Sequence, residues 1–122
     1  MSPSKESDDK LKQSIKALEH ALTFAGKADK DDFYLAGIAK CFEICLEYAW
    51  KYLKQRVIAE GLDAYSPKEA IKLAGRLRII DNVEGWLNYL EDRNLAVHDY
   101  LGVSDEEYLK TIQEFLQDVK KL

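Results

Sequence analysis

The sequence predicts an all-α protein, an up-and-down bundle of about five helices with a four-helix-bundle core. Its 122 residues include only 6 Gly and 2 Pro, so the turn residues that short strands and tight hairpins need are scarce. Apolar residues recur at alternating spacings of three and four, which is the period of an amphipathic α-helix. Short links between such segments favour antiparallel neighbours around one core.

Two helices account for the first half of the chain. The first is predicted from residue 10 to near Gly26, on apolar positions at spacings of four and three: Leu11, Ile15, Leu18, Leu22 and Ala25. Asp31 and Asp32 supply acidic N-terminal residues for the second helix, where they complement the helix dipole. This helix runs to about Glu60 and stops at Gly61, since glycine readily ends a helix.

Three further helices follow. The segment 66–69 reads Ser-Pro-Lys-Glu, which combines a serine cap, proline at the first helical position and glutamate three residues after the cap. After a connection at 79–82, the fourth helix extends from about Val83 to near Asp99 or Tyr100. The fifth helix begins at 104–107 and carries apolar residues at helical spacing: Tyr108, Ile112, Phe115, Val119 and Leu122.

Composition indicates a globular protein with no global attraction for nucleic acid. Hydrophobic residues make up 47% of the chain, charged residues 33%, and the net charge is −4. Any RNA contact must therefore be local, at a few Arg and Lys residues in a cleft. Lys51, Lys54 and Arg56 form one such cluster on the second helix, although a charge cluster is more often a solvated helix face.

The polar residues 1–9 are predicted to be a disordered tail, and residues 10–122 a single domain. The N-terminus has no apolar core of a signal peptide, and no run approaches the ~18 apolar residues of a membrane span, so we expect a cytoplasmic protein. Cys41 and Cys45 share a helix face and are expected to be buried free thiols. The residues indicate no cofactor, small-molecule ligand or metal.

Four polar residues intrude on the apolar face of the fourth helix. With Arg93 at zero and about 100° per residue, Tyr100 lies near −20°, Asn94 near 100° and His98 near 140°. The same arc holds the apolar residues Trp86, Leu87, Leu90, Val97 and Leu101. Buried polar groups cost several kcal/mol unless partners or a ligand satisfy them. The arc is therefore a candidate functional site.

These side chains suit phosphodiester chemistry. His98 can act as general base or acid near neutral pH, and the guanidinium of Arg93 presents a fork of donors to phosphate oxygens. Asn94 can bind a substrate or orient the imidazole, and the hydroxyl of Tyr100 would share the cleft. Metal-free RNA cleavage needs a base and an acid, so a two-fold dimer that pairs two such helices would supply both.

A structural interpretation stands beside the catalytic one. An Arg and a His on one helix are often a satisfied polar pair. Asp92 and Asp99 could pair with Arg93 or His98, from neighbouring positions or across an interface.

The segment Arg93-Asn94-x3-His98-x-Tyr100 resembles the Arg-x4-His-x-Tyr signature of HepT-like proteins in the HEPN superfamily. The stretches 42–51, 60–61, 66–69, 86–87 and 92–94 resemble the family of nucleotidyltransferase substrate-binding proteins. Together the resemblance covers roughly residues 10 to 122, and the ordered set of segments is more specific than the short motif alone.

The resemblance implies a small helical bundle that forms a homodimer and pairs the motif helices in a cleft. It implies the toxin of a toxin–antitoxin pair, typically a metal-independent ribonuclease, whose antitoxin is a minimal nucleotidyltransferase. If the roles of the family's motif residues apply to this sequence, Arg93 would be the phosphate-binding catalytic residue, His98 the acid/base and Asn94 the accompanying polar residue. Tyr100 would accept AMP from the partner, which blocks the cleft.

Two alternatives remain open at this point. Some members of the superfamily are non-catalytic binding modules, so the chain could be a substrate-binding subunit of the nucleotidyltransferase. It could also be a helical dimerisation module whose Arg93 and His98 satisfy each other. RNA is the expected substrate of the catalytic form, and neither DNA nor a membrane is an expected partner.

Overall fold

The computed structural model describes residues 5–28, 30–98 and 105–122, without the side chains of residues 95–98. The described residues form five α-helices, a 3-10 turn at Ala25–Lys27 and no strand, which confirms the predicted all-α class. The helices are α1 (Lys5–Leu22), α2 (Asp32–Ala59), α3 (Pro67–Arg76), α4 (Val83–His98) and α5 (Asp105–Val119). None of the helices in these ranges is long and apolar enough to cross a membrane.

The first helix starts earlier than the sequence predicts. Helix α1 begins at Lys5, five residues before the predicted start at residue 10. Acidic residues in the first turn favour a helix start there, and two ion pairs at i,i+4 spacing reinforce it. Lys10 Nζ lies 3.2 Å from Glu6, and Lys12 Nζ lies 3.0 Å from Asp8. These polar residues lack an apolar stripe, so apolar periodicity could not detect them.

Helix α1 also ends at Leu22 rather than near Gly26, which lies in the 3-10 turn, whereas both ends of α2 and the start of α3 follow the predicted caps. The carboxylate of Asp31 accepts a hydrogen bond from the backbone N–H of Phe33 at 3.0 Å, which caps α2. Gly61 has a φ of +87°, the left-handed conformation predicted for the residue that stops this helix. Ser66 Oγ accepts from the N–H of Glu69 at 3.1 Å and caps α3.

Helix α2 is the centre of the bundle and contacts α1, α3 and α5, while α4 packs against α3 and α5. The ring of Phe115 on α5 joins these layers. Its centroid lies 5.2 Å from that of Phe42 on α2, 5.6 Å from Trp86 and 5.4 Å from Tyr89 on α4, all edge to face. Because Trp86 and Tyr89 face the core, the rotation of α4 about its axis is fixed.

A buried polar network also ties α4 to α5. Asp118 is only 9% exposed, and its carboxylate accepts hydrogen bonds from the hydroxyl of Tyr89 and from Asn82 Nδ2, the latter at 2.9 Å. Burial and the neighbouring carboxylate raise the pKa of Tyr89 far above its ordinary value. The phenol therefore stays a donor, as a buried carboxylate requires.

Helices α3 and α4 approach closely at a glycine. A Cβ added to Gly75 would lie 2.1 Å from Cγ2 of Val83, which is well inside van der Waals contact. The missing side chain therefore sets how near α3 can come to the start of α4.

Candidate functional site

Arg93 lies half-buried on α4 at the junction of two surface depressions, and both depressions also include Glu47 of α2. The α3-side depression, of about 170 Å³, is lined by Leu46, Glu47, Trp50, Ser66, Pro67, Lys68, Leu90, Arg93 and Asn94. The α2-side depression, of about 280 Å³, is lined by Lys40, Glu43, Ile44, Glu47, Tyr48, Lys51 and Arg93.

The guanidinium of Arg93 has unused hydrogen-bonding capacity. Its Nε is buried and has no hydrogen-bond partner among the described residues. A buried donor that is left unsatisfied lowers the stability of the fold by about 1–3 kcal/mol. A ligand or a further partner that accepts a hydrogen bond from Nε would remove this penalty. This is the property expected of a group that binds an anion.

Glu47 is an acidic neighbour of Arg93, but its carboxylate already interacts with Trp50 and Lys51. Its carboxylate accepts a hydrogen bond from Trp50 Nε1 at 2.9 Å and forms an ion pair with Lys51 Nζ at 3.2 Å. Partial burial acts to raise the pKa of Glu47. The hydrogen bonds from Trp50 and Lys51, with the charges of Lys51 and Arg93, outweigh burial and hold that pKa below its ordinary value.

The site is locally positive although the chain carries a net charge of −4. Its lining residues include four cations and two carboxylates: Lys40, Lys51, Lys68 and Arg93 against Glu43 and Glu47. Of the basic cluster noted in the sequence, only Lys51 lines the site. The guanidinium of Arg56 lies over the ring of Tyr52, 5.9 Å from its centroid.

The structure brings two of the four predicted site residues together. Arg93 and Asn94 line the same depression, and Asn94 is exposed there. His98 is the last residue of α4, about 7.5 Å along the axis from Arg93. Its side chain lies outside the described part of the structure, and so does the whole of Tyr100.

Within the chain, Asp92 makes no ion pair with Arg93 among the described residues, so the intrachain form of that pairing hypothesis is not met. Its carboxylate instead accepts a hydrogen bond of 2.6 Å from Thr111 Oγ1 on α5. The two neighbours on α4 point to different helices because consecutive helical residues are about 100° apart. Asp99, the other predicted partner, lies outside the described residues.

Apart from Lys51, sequence reasoning missed the contributions of α2 and α3 to this site. Lys40, Glu43, Glu47 and Lys51 are spaced three and four apart along α2, so a charged stripe was present in the sequence. Lys68 lies within the helix-capping segment 66–69, in which Ser66, Pro67 and Glu69 carry the capping signal. Which part of α4 these residues face follows from tertiary packing alone.

The two thiols carry no chemistry at this site. Cys45 is fully buried, and burial raises its pKa to about 11, so the sulfur stays protonated at neutral pH. Both cysteines are free, as predicted, with Cys41 half-buried. Within ranges 5–28, 30–98 and 105–122, no group of three His, Cys, Asp or Glu residues could hold a metal ion.

Two solved structures share this fold. One is the tri-AMPylated HEPN toxin of Shewanella oneidensis in complex with the MNT antitoxin, and the other is a mutant of the toxin–antitoxin MntA-HpeT. Each match has a TM-score of 0.67 and 16% sequence identity, and covers 96% of both chains. No curated protein is significantly similar in sequence.

Family membership follows from the sequence match over nearly the whole chain. Residues 8–122 match the family described as nucleotidyltransferase substrate binding protein like. This range includes all five helices apart from the first turn of α1, and it contains the depressions around Arg93. The chain belongs to the nucleotidyltransferase substrate-binding protein family.

Proposed function

We propose that this protein is the toxin of a toxin–antitoxin pair and acts as a metal-independent endoribonuclease. Its antitoxin is a minimal nucleotidyltransferase. Support comes from the family match over residues 8–122 and from the fold shared with a HEPN toxin bound to an MNT antitoxin.

The observation that carries the proposal is the state of Arg93. Its guanidinium lies at the junction of two locally basic depressions, without an ion pair among the described residues and with Nε unbonded. A phosphodiester would supply the missing acceptors, and charge that develops on the phosphoryl oxygens would strengthen these hydrogen bonds.

His98 supplies the proton transfers in this proposal. One histidine would take the proton of the ribose 2′-hydroxyl, which then attacks the adjacent phosphorus and displaces the 5′-oxygen. A second histidine would protonate that leaving oxygen. Since each chain has one such residue, the reaction requires a homodimer that pairs two copies of α4 across a cleft. Asn94 would orient the substrate or the imidazole.

Tyr100 gives the partner a means of control. The nucleotidyltransferase would transfer AMP from ATP to the phenolic oxygen of Tyr100, which releases pyrophosphate. The added phosphate would place a negative charge two residues from His98, where an RNA phosphate must bind. Modification would therefore inhibit the ribonuclease by occupying its cleft.

A non-catalytic substrate-binding subunit is the second candidate. The family description itself favours it, because it names substrate binding rather than hydrolysis. In that case Arg93 and the lysines around it would present a nucleic acid or nucleotide to the nucleotidyltransferase without cutting it.

Expression of the chain alone in a bacterial host tests the toxin proposal. We expect growth to stop and cellular RNA to be fragmented with the native chain, and neither effect with Arg93→Ala or His98→Ala at equal protein level. Growth arrest of the same size in all three strains would contradict the assigned chemistry. Normal growth with intact RNA in all three would favour the binding subunit.

A further inference from the structure

Two lysines flank Arg93, one in each depression, and neither forms an ion pair with a carboxylate among the described residues. Lys40 lines the α2-side depression and Lys68 the α3-side depression, and both are exposed. Neither makes an ion pair within the part of the chain that the structure describes. Lys51, by contrast, is held by Glu47 at 3.2 Å.

Lys68 is held beside the site by the start of α3. Ser66 Oγ caps the helix on the N–H of Glu69, and Glu69 Oε2 accepts a hydrogen bond from the N–H of Tyr65 at 3.2 Å. This reciprocal capping, with Pro67 at the first helical position, fixes the backbone that carries Lys68. The charged group that this helix start presents to a ligand is the ammonium of Lys68.

The size of the depressions indicates a ligand that extends beyond either of them. Their volumes of about 170 and 280 Å³ lie below the range of about 300–1,000 Å³ that is typical of small-molecule pockets. The two depressions meet at Arg93, so a chain with regularly spaced negative charges could contact both. Trp50 and Tyr48 are half-buried in their walls and offer apolar rings beside the cations.

We propose that Lys40 and Lys68 bind the RNA phosphates on either side of the phosphate held by Arg93. A single strand would then lie across α2 and α4, with its flanking phosphates at the two unpaired ammonium groups. This inference rests on the proposed function, since it extends the substrate contacts of the same site. It assigns substrate binding to residues outside the Arg-x4-His-x-Tyr segment.

The test measures binding of a labelled single-stranded oligoribonucleotide by fluorescence anisotropy, in EDTA, between about 50 and 200 mM salt. All proteins carry His98→Ala so that no cleavage disturbs the measurement. The test variant adds Lys40→Ala and Lys68→Ala. The matched control adds Lys16→Ala and Lys72→Ala, which remove the same charge from exposed lysines outside both depressions.

Each single-strand phosphate contact contributes about 0.7 to the slope of log affinity against log salt. We therefore expect the test variant to bind more weakly with a slope shallower by about 1.4, and the control to match its parent. Equal binding by test variant and control would overturn the inference. So would weaker binding accompanied by a change in molar mass in light scattering, since Lys40 and Lys68 would then support subunit association.

Cleavage by the native chain, measured in parallel, separates this inference from the proposed function. If the native chain cuts RNA but the test variant and the control variant bind the oligoribonucleotide equally well, the ribonuclease proposal stands and the flanking contacts are wrong. If it does not cut RNA but only the Lys40 and Lys68 variant binds weakly, the contacts stand and the ribonuclease is wrong. Absence of RNA binding by every protein would overturn both.

Discussion

Thr111 donates a hydrogen bond of 2.6 Å to the carboxylate of Asp92, the residue directly before Arg93. The bond crosses from α5 to α4 and holds the carboxylate of Asp92 on the side of α4 that faces α5, about 100° around the helix from Arg93. An Asp92 that faced Arg93 would neutralise it and satisfy its donors. Asp92 therefore makes no ion pair with Arg93 within the part of the chain that the structure describes.

Thr111→Val is expected to lower the free energy of unfolding by about 1–3 kcal/mol, because it leaves the half-buried carboxylate of Asp92 without its donor. Urea denaturation followed by circular dichroism measures the change. Thr111→Ser keeps the hydroxyl and serves as the control, so it should retain more of the stability. A Val variant as stable as the native chain would show that the bond contributes nothing.

Tyr89→Phe removes one donor to the buried carboxylate of Asp118. Hydrogen bonds to charged groups contribute about 1.5–3 kcal/mol, and we expect a loss of that order in the free energy of unfolding. Tyr65→Phe is the matched control, since Tyr65 is 82% exposed and should tolerate the change. Equal stability of the two variants would show that the hydrogen bond from Tyr89 to Asp118 does not help to hold α4 against α5.

Alkaline pH should destabilise the fold through Cys45. Its thiol has a pKa of about 11 when buried, against 9.0 ordinarily, so the unfolded chain loses this proton first. The stabilising contribution is complete below pH 9 and is lost as pH rises to about 11. The linked loss is about 2–3 kcal/mol, and the raised pKa of Tyr89 acts in the same direction at higher pH.

The free energy of unfolding measured from pH 8 to 11 tests this assignment. Cys45→Ala should show a shallower decline than the native chain across the same range, whatever its stability at neutral pH. Parallel curves for the two proteins would mean that the thiol is not responsible.

Gly75→Ala is expected to destabilise the protein by about 1–3 kcal/mol, since its Cβ would overlap Val83. Gly37→Ala on α2 is the control, because nothing lies within 4 Å of its Cβ and alanine is the better helix former. That variant should be stabilised by about 0.5–1 kcal/mol. Stabilisation by both substitutions would contradict the close approach of α3 and α4.

The sequence predicts much of the fold because its signals are local. Asp31, Ser66 and Gly61 mark helix ends through their own backbone and capping chemistry, and the structure has the ends where these residues predict them. The early start of α1 was missed because ion pairs, not apolar spacing, support it. The pairing of Asp92 with Thr111 joins residues 19 apart, and no local pattern encodes it.

The site was predicted only in part, for the same reason. The polar residues at the end of α4 stand out on an apolar arc, so Arg93 and Asn94 could be selected from the sequence. Lys40 and Lys68 come from other helices, and only the packing of α2 and α3 beside α4 brings them to Arg93. Lys40 belongs to a charged stripe on α2, but the charges of both lysines are ordinary for exposed helix residues, and the sequence does not show that they lie beside Arg93.

Cleavage of RNA by the purified chain in EDTA tests the central claim most directly. The native protein should produce fragments with 2′,3′-cyclic phosphate ends, and Arg93→Ala should reduce the rate by about 10²–10³-fold while keeping the native circular dichroism spectrum. Arg93→Lys keeps the charge but not the planar fork, so it should restore only part of the rate. Intact RNA with the native protein, or equal cleavage by Arg93→Ala, would contradict a ribonuclease that acts through Arg93.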